Sequence, residues 1–216
     1  MRFQSREQAA SLLAESLARY RGKNPLVLGI PRGAVPMANI IAEALGGDLD
    51  VVLVHKLRAP EQPELAIGAV DEDGRVFLSD YVRALGISAT YVQREKQTQL
   101  DRLHERRSLY TPHRPPMDAT GRTVIVVDDG VATGSTLMAA LRALRAKKPA
   151  RLIAAFAVAP YTSLLRIEAE ADETVCLFAP DQFYAVGEFF EDFCQVTDDR
   201  VIQILRKKER KRAVGE

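Results

Sequence analysis

The stretch from Thr123 to Thr136 (TVIVVDDGVATGST) holds the densest chemistry in the chain. Four apolar residues, Val124 to Val127, read as a buried strand that delivers two adjacent carboxylates, Asp128 and Asp129. A loop rich in glycine and hydroxyls follows at once, and then a helix begins. Such a loop gathers backbone N–H groups and the positive end of a helix dipole at one spot, which suits a phosphate. Thr133, Ser135 and Thr136 add hydroxyl donors. Asp128 and Asp129 cannot also hold phosphate, because like charges repel. They suit the hydroxyls of a sugar attached to that phosphate, or a metal near it. The motif is not a Walker loop, which needs Gly-Lys before Ser or Thr. No lysine occurs between Thr123 and Thr136.

Other groups are spaced to meet a charged ligand. Gly29 to Ala34 (GIPRGA) follows a short apolar run and precedes a helix. Arg32 there offers a forked donor for phosphate oxygens, and Gly33 permits close backbone approach. Lys56 directly follows the run Val51 to His55, so its ammonium would reach over the strand ends. His55 itself is expected to satisfy a local hydrogen bond. Arg94, Lys96, Arg102, Arg106, Arg107 and Arg114 lie between Asp80 and Thr120, where the helical part alternates charge sign. For each of them the simplest reading is a solvated helical face or a dimer contact.

These groups need a frame, and hydrophobic periodicity outlines it. Ser5 and Gln8 form a capping-box pattern for a helix predicted to reach Tyr20. Strands are predicted over Leu26 to Ile30, Val51 to His55, Leu65 to Val70, Arg75 to Leu78, Thr123 to Val127, Leu152 to Val158 and Thr174 to Phe178. Asp71 to Gly74 reads as a hairpin turn. Helices are predicted over Val35 to Leu45, Tyr91 to Tyr110, Ser135 to Ala146, Ser163 to Glu170 and Asp198 to Lys211. Apolar strands separated by helices imply an α/β fold with a central, mainly parallel sheet covered on both faces. Ligands in such folds sit at the carboxyl ends of the strands. The turns after Ile30, His55 and Val127 fall there.

The 216 residues, 47% of them hydrophobic, suit one domain with a sizeable core. A net charge of +1 sets up no global field toward nucleic acid or membrane, and neither is expected as a partner. The basic run Arg206 to Arg212 most simply favours a helix C-terminus. No stretch of about 18 apolar residues exists to span a membrane, and the N-terminus lacks a signal-peptide pattern because Arg6 and Glu7 interrupt it. Cys176 and Cys194 fit a reducing cytoplasm, and their spacing disfavours a zinc site.

On these residues the chain resembles the type I phosphoribosyltransferase family. Val124 to Thr136 matches its signature of four apolar residues, two acids, a short spacer and Thr-Gly-x-Thr. The likeness runs from about Leu26 to Phe193. It implies a type I phosphoribosyltransferase-like fold forming one domain over residues 1–216, with a flexible lid (80–120), a small hood (179–193) and a basic tail (206–216). It further implies binding of phosphoribosyl pyrophosphate (PRPP), with Mg²⁺ held mainly through PRPP. Asp128 and Asp129 would hold the ribose 2′ and 3′ hydroxyls. Gly130, Val131, Ala132, Thr133, Gly134, Ser135 and Thr136 would wrap the 5′-phosphate. Gly29 to Ala34 would be the pyrophosphate loop, with Pro31–Arg32 the candidate cis peptide, and Lys56 resembles a pyrophosphate-contacting lysine. One departure matters: hypoxanthine-guanine enzymes carry an acid/base aspartate where Ala132 stands, so this segment looks more like the adenine type. The hood segment Ala179 to Phe193 (APDQFYAVGEFFEDF) looks instead like the hypoxanthine-guanine base-binding segment. Phe183 could stack on a base there, and Asp192 could meet magnesium or an exocyclic amine; equally, the aromatics could be core. The expected activity is transfer of the phosphoribosyl group to an acceptor, a nucleobase with purines first, by a cytoplasmic protein able to form a homodimer. A regulator that binds PRPP without turnover is the alternative, and a phosphoribosyl hydrolase or non-base transferase is a third.

Overall fold

The computed structural model describes residues 1–62, 64–112 and 115–214, with the side chains of 209–214 excepted. Pro63, Arg114, residues 215–216 and the side chains of 209–214 in the basic tail therefore lie outside what is described.

Helix α1 (Arg6–Ser16) starts where Ser5 accepts a hydrogen bond from the Gln8 N–H. It ends four residues short of the predicted Tyr20, and a 3₁₀ turn, Ala18–Tyr20, completes the apolar face. Strand β1 (Leu26–Gly29) leads into α2 (Ala34–Leu45), which Gly46 terminates in the left-handed conformation at φ 65°. Strand β2 (Asp48–Val51) follows. Later come β6 (Thr123–Asp128), α5 (Ser135–Arg145), β7 (Arg151–Val158), α6 (Tyr161–Glu168), β8 (Glu173–Phe178) and α7 (Asp198–Val214). The five strands form one parallel sheet in the order β2-β1-β6-β7-β8.

The three central strands, β1, β6 and β7, each feed two cores, which explains their unbroken apolar runs. Val27, Ile125, Val127, Ile153 and Ala155 face the core shared with α1 and α2. Leu26, Val124, Val126, Leu152 and Ala154 face the core shared with α5.

The sequence reads Val51 to His55 as one strand, and the structure divides it. Val51 pairs with Gly29 in the parallel sheet, whereas β3 (Val54–Arg58) opens a separate antiparallel sheet. Its partners are β4 (Ala66–Asp71) and β5 (Val76–Leu78). A continuous apolar run carries no period marker at the point where the chain leaves one sheet for another. The predicted hairpin turn is present: the Asp71 carboxylate accepts from the N–H groups of Asp73 and Arg75, and Gly74 adopts φ 77°.

Between β5 and β6 lie the short helix α3 (Tyr81–Ala84) and the long helix α4 (Ala89–Tyr110). Helix α4 packs on β3, β4 and α7. Of the cations on it, Arg107 departs from the expected solvated face. Its guanidinium is buried, donating to Asp50 at 3.0 Å, to both Glu72 oxygens at 2.7 Å and to the Val51 carbonyl at 3.0 Å. No helix among the described residues is long and apolar enough to cross a membrane.

Removing the cation from this cluster leaves two buried carboxylates facing each other. Arg107→Met is therefore expected to lower the unfolding free energy by about 3–5 kcal/mol. Denaturant titration checks this, and a loss below about 0.5 kcal/mol would place Arg107 with ordinary surface residues.

Candidate active site

Parallel pairing of β1 with β6 sets Gly29 beside Val127. The Ile30 N–H then donates to the Val127 carbonyl at 3.0 Å, so the two loops leave the sheet side by side. In the first loop the Pro31–Arg32 peptide is cis, as the resemblance implied. Gly33 precedes α2 with ordinary helical dihedrals, so space rather than backbone freedom selects glycine. A Cβ there would overlap the Asp129 carboxylate.

The second loop is anchored from several directions. The Val131 N–H donates to the Val158 carbonyl at 2.8 Å, and the Ser163 hydroxyl donates to the Ala132 carbonyl at 2.5 Å. Gly130 has no room for a side chain, since a Cβ would stand 2.5 Å from Val186, the first residue of the 3₁₀ turn Val186–Phe189. Gly134 adopts φ 76°, a left-handed turn that starts α5 and that glycine accepts without strain. The hydroxyls of Thr133 and Ser135 lie 3.0 Å apart. Together Asp128, Gly130 to Leu137 and Lys56 line one cleft of about 200 Å³. Lys56 gets there from within β3 of the second sheet, not from the end of the predicted strand.

Asp128 lines that cleft and Asp129 follows it in the chain, with the Asp129 N–H donating to an Asp128 oxygen at 2.9 Å. Burial, and then the Asp129 charge, push the Asp128 carboxyl well above the ordinary carboxylate range. Burial raises Asp129 too, against the opposing pull of a cation that sequence reasoning passed over, Arg6. Arg6 Nε donates to Asp129 at 2.8 Å, and Nη1 donates to the Cys194 carbonyl at 2.7 Å. Its guanidinium lies 3.8 Å from the Phe193 ring centroid. The signal was present: Arg6 occupies the apolar stripe of α1 that continues through Ala9, Ala10, Leu13 and Leu17. An arginine at such a position must find partners.

Other expected site residues lie outside the cleft. Arg32 Nη1 is 3.1 Å from Asp198 at the start of α7, and both side chains are about one-third exposed. The Tyr110 hydroxyl also donates to Asp198, whose carboxyl is held low by that bond and by Arg32. Phe183 stacks on Phe189 at 5.4 Å, so one ring face is already covered. Asp192 accepts from the Cys194 N–H at 3.1 Å and lines a neighbouring cleft with Arg6, Pro36 and Arg200. His55 contacts Gln99 at 2.9 Å, the local bond expected of it.

The phosphoribosyl transferase domain profile matches residues 4–73 and 61–189. A curated protein of Mycobacterium tuberculosis H37Rv that carries a provisional phosphoribosyl transferase name is 40% identical over 209 residues. That alignment takes in 96% of this chain and 47% of the relative, so the chain spans about half the length of the curated relatives it matches. The crystal structure of TT1426 from Thermus thermophilus superposes with a TM-score of 0.86 at 45% identity, over 96% of this chain and 99% of that one. A hypoxanthine-guanine phosphoribosyltransferase from L. donovani is far more distant, at 18% identity and TM-score 0.48 over 85% of this chain and 84% of its own; it carries no argument about the acceptor. The chain belongs to the phosphoribosyl transferase domain family.

A carboxyl raised by folding costs stability once the unfolded chain ionises. That cost begins near pH 3.8, the ordinary value for Asp128, and grows until the folded group ionises too. Asp128→Asn keeps an acceptor oxygen and removes the charge. It is expected to raise the melting temperature at pH 7, with the gain vanishing as pH falls below 3.8. Melting curves across pH check both the sign and the window.

Proposed function

We propose that this chain binds PRPP in the cleft formed by Asp128, Gly130 to Thr136 and Lys56, and transfers its phosphoribosyl group with release of pyrophosphate. The acceptor we favour is a nucleobase, with purines first because of the hood's sequence order. One observation carries the reading: an acid pair, a phosphate-type loop and the GIPRG loop converge where β1 and β6 end, Gly33 packed on Asp129.

In this reading Gly130, Val131, Ala132, Thr133, Gly134, Ser135 and Thr136 hold the 5′-phosphate by N–H groups, hydroxyls and the N-terminus of α5. Asp128 and Asp129 orient the ribose hydroxyls. Weakening of the C1–O bond gives an oxocarbenium-like centre, related to that of glycoside chemistry. Lys56, and Arg32 once freed from Asp198, stabilise the charge that grows on the departing pyrophosphate. A nitrogen of the base then attacks C1. Ala132 supplies no acid/base group, so the base must lose its proton elsewhere.

Among the described residues no cluster of three or more His, Cys, Asp or Glu side chains could hold a metal by itself. The donor set fits Mg²⁺ that arrives on PRPP and meets Asp128, the carboxylate not paired with Arg6. Bound so, it would neutralise pyrophosphate charge. Asp192, in the neighbouring cleft, is the weaker candidate. The thiols Cys176 and Cys194, both free, support a reducing cytoplasm as the setting.

A regulator that binds PRPP without turnover is the second reading. Ala132 and the Arg32–Asp198 pair favour it. Pyrophosphate release from PRPP and Mg²⁺ across a panel of nucleobases separates the two. Base-dependent release is the expected result, and PRPP binding without release would support the regulator. Asp128→Asn with Asp129→Asn is expected to weaken PRPP binding by roughly 100-fold or more. Undiminished tight binding in that variant would defeat the assignment of the cleft.

A further inference from the structure

Asp129 presents an electrostatic difficulty. Its carboxylate lies hard against Gly33, in the loop proposed for a polyanion. A bare carboxylate there would repel pyrophosphate at close range, where neither water nor salt screens well. Arg6 removes the difficulty by pairing with Asp129 at 2.8 Å.

Arg6 has more to give than that pair uses. It is nine-tenths buried, at 9% exposure, and is held on three sides. Asp129 takes Nε, the Cys194 carbonyl takes Nη1, and the Phe193 ring covers the face of the guanidinium. Nη2 has no hydrogen-bond partner among the described residues. It stands 3.4 Å from where a Cβ on Gly33 would be, so the missing side chain leaves it a free approach to the loop. Nη2 is thus the donor left for an incoming group, and an anion at the loop would find it already positioned.

We propose that Arg6 contacts pyrophosphate through Nη2, acting with Arg32 of the same loop. The inference rests on the proposed PRPP reading and extends it to α1. A fixed guanidinium suits this role, because little side-chain freedom is lost when the anion arrives. The same group keeps Asp129 neutralised, so the loop can accept charge next to a carboxylate.

The test uses the full chain, Mg²⁺ and two probes, titrated by calorimetry. Inorganic pyrophosphate reports the loop at Gly33; ribose 5-phosphate reports Asp128, Asp129 and the phosphate loop. Arg6→Gln is expected to weaken pyrophosphate binding by about 10-fold or more while ribose 5-phosphate changes less than about 2-fold. Arg6→Lys keeps the charge and should fall between wild type and Arg6→Gln for pyrophosphate alone. If Arg6 only held Asp129 in place, ribose 5-phosphate would weaken as much as pyrophosphate, and the proposal would be overturned. Unchanged pyrophosphate binding would overturn it too. If the wild-type chain bound neither probe, the PRPP reading would fall first and this inference with it. Should the variants not fold, the crystal structure of the wild-type chain with magnesium pyrophosphate decides. Nη2 within about 3.5 Å of a pyrophosphate oxygen supports the contact, and a longer separation overturns it.

Discussion

The parallel pairing of β1 with β6 is the constraint on which the site depends. Because Gly29 lies beside Val127, the chain leaves both strands at the same level. The Ile30 N–H closes the gap on the Val127 carbonyl, and the two loops are then forced into contact. Such closeness leaves no space for side chains at the crossing points. Gly33 lies against Asp129, and Gly130 lies under Val186 and Val158. These glycines are there because of packing, whereas Gly134 is there because its φ of 76° turns the chain into α5.

The same convergence concentrates charge. Asp128 and Asp129 stand at the end of a strand buried on both faces; burial raises both carboxyls, and the Asp129 charge raises Asp128 further. Perturbed carboxyls of this kind cluster at functional sites. Arg6 opposes that rise, and a second ion pair holds the other loop. Arg6 at the start of α1 meets Asp129, and Asp198 at the start of α7 meets Arg32. The loops thus rest on ion pairs made by distant segments.

A second cluster fixes the outer layer. Arg107 ties α4 to Asp50 in β2 and to Glu72 after β4, joining the parallel sheet to the antiparallel one. Lys56 projects from β3, so its place in the cleft beside Gly130 to Leu137 depends on that junction. Tyr110, at the end of α4, bonds Asp198, which links the same helix to Arg32. Packing in the outer layer therefore bears on both cationic groups proposed for the ligand.

Much of this was written locally in the sequence. Apolar runs bounded by glycine and proline specified the strands and the α/β class, and Thr123 to Thr136 specified strand, acid pair and loop in one continuous segment. Local signals sufficed because those features arise from neighbours in the chain. The division of Val51 to His55 between two sheets needed pairing partners, Gly29 on one side and Asp71 on the other, that no local pattern names. The burial of Arg107 was likewise hidden, since a charged helix reads as solvated until its carboxylate partners are brought beside it. Arg6 is the sharpest case. Its place on the apolar stripe of α1 was legible, but its partners stand 123 and 188 residues away. Sequence alone determined the acid pair, the hydroxyls and the glycine-rich loop as one segment; the tertiary fold decided which charges are neutralised, because Coulomb interactions depend on distance in space and not along the chain.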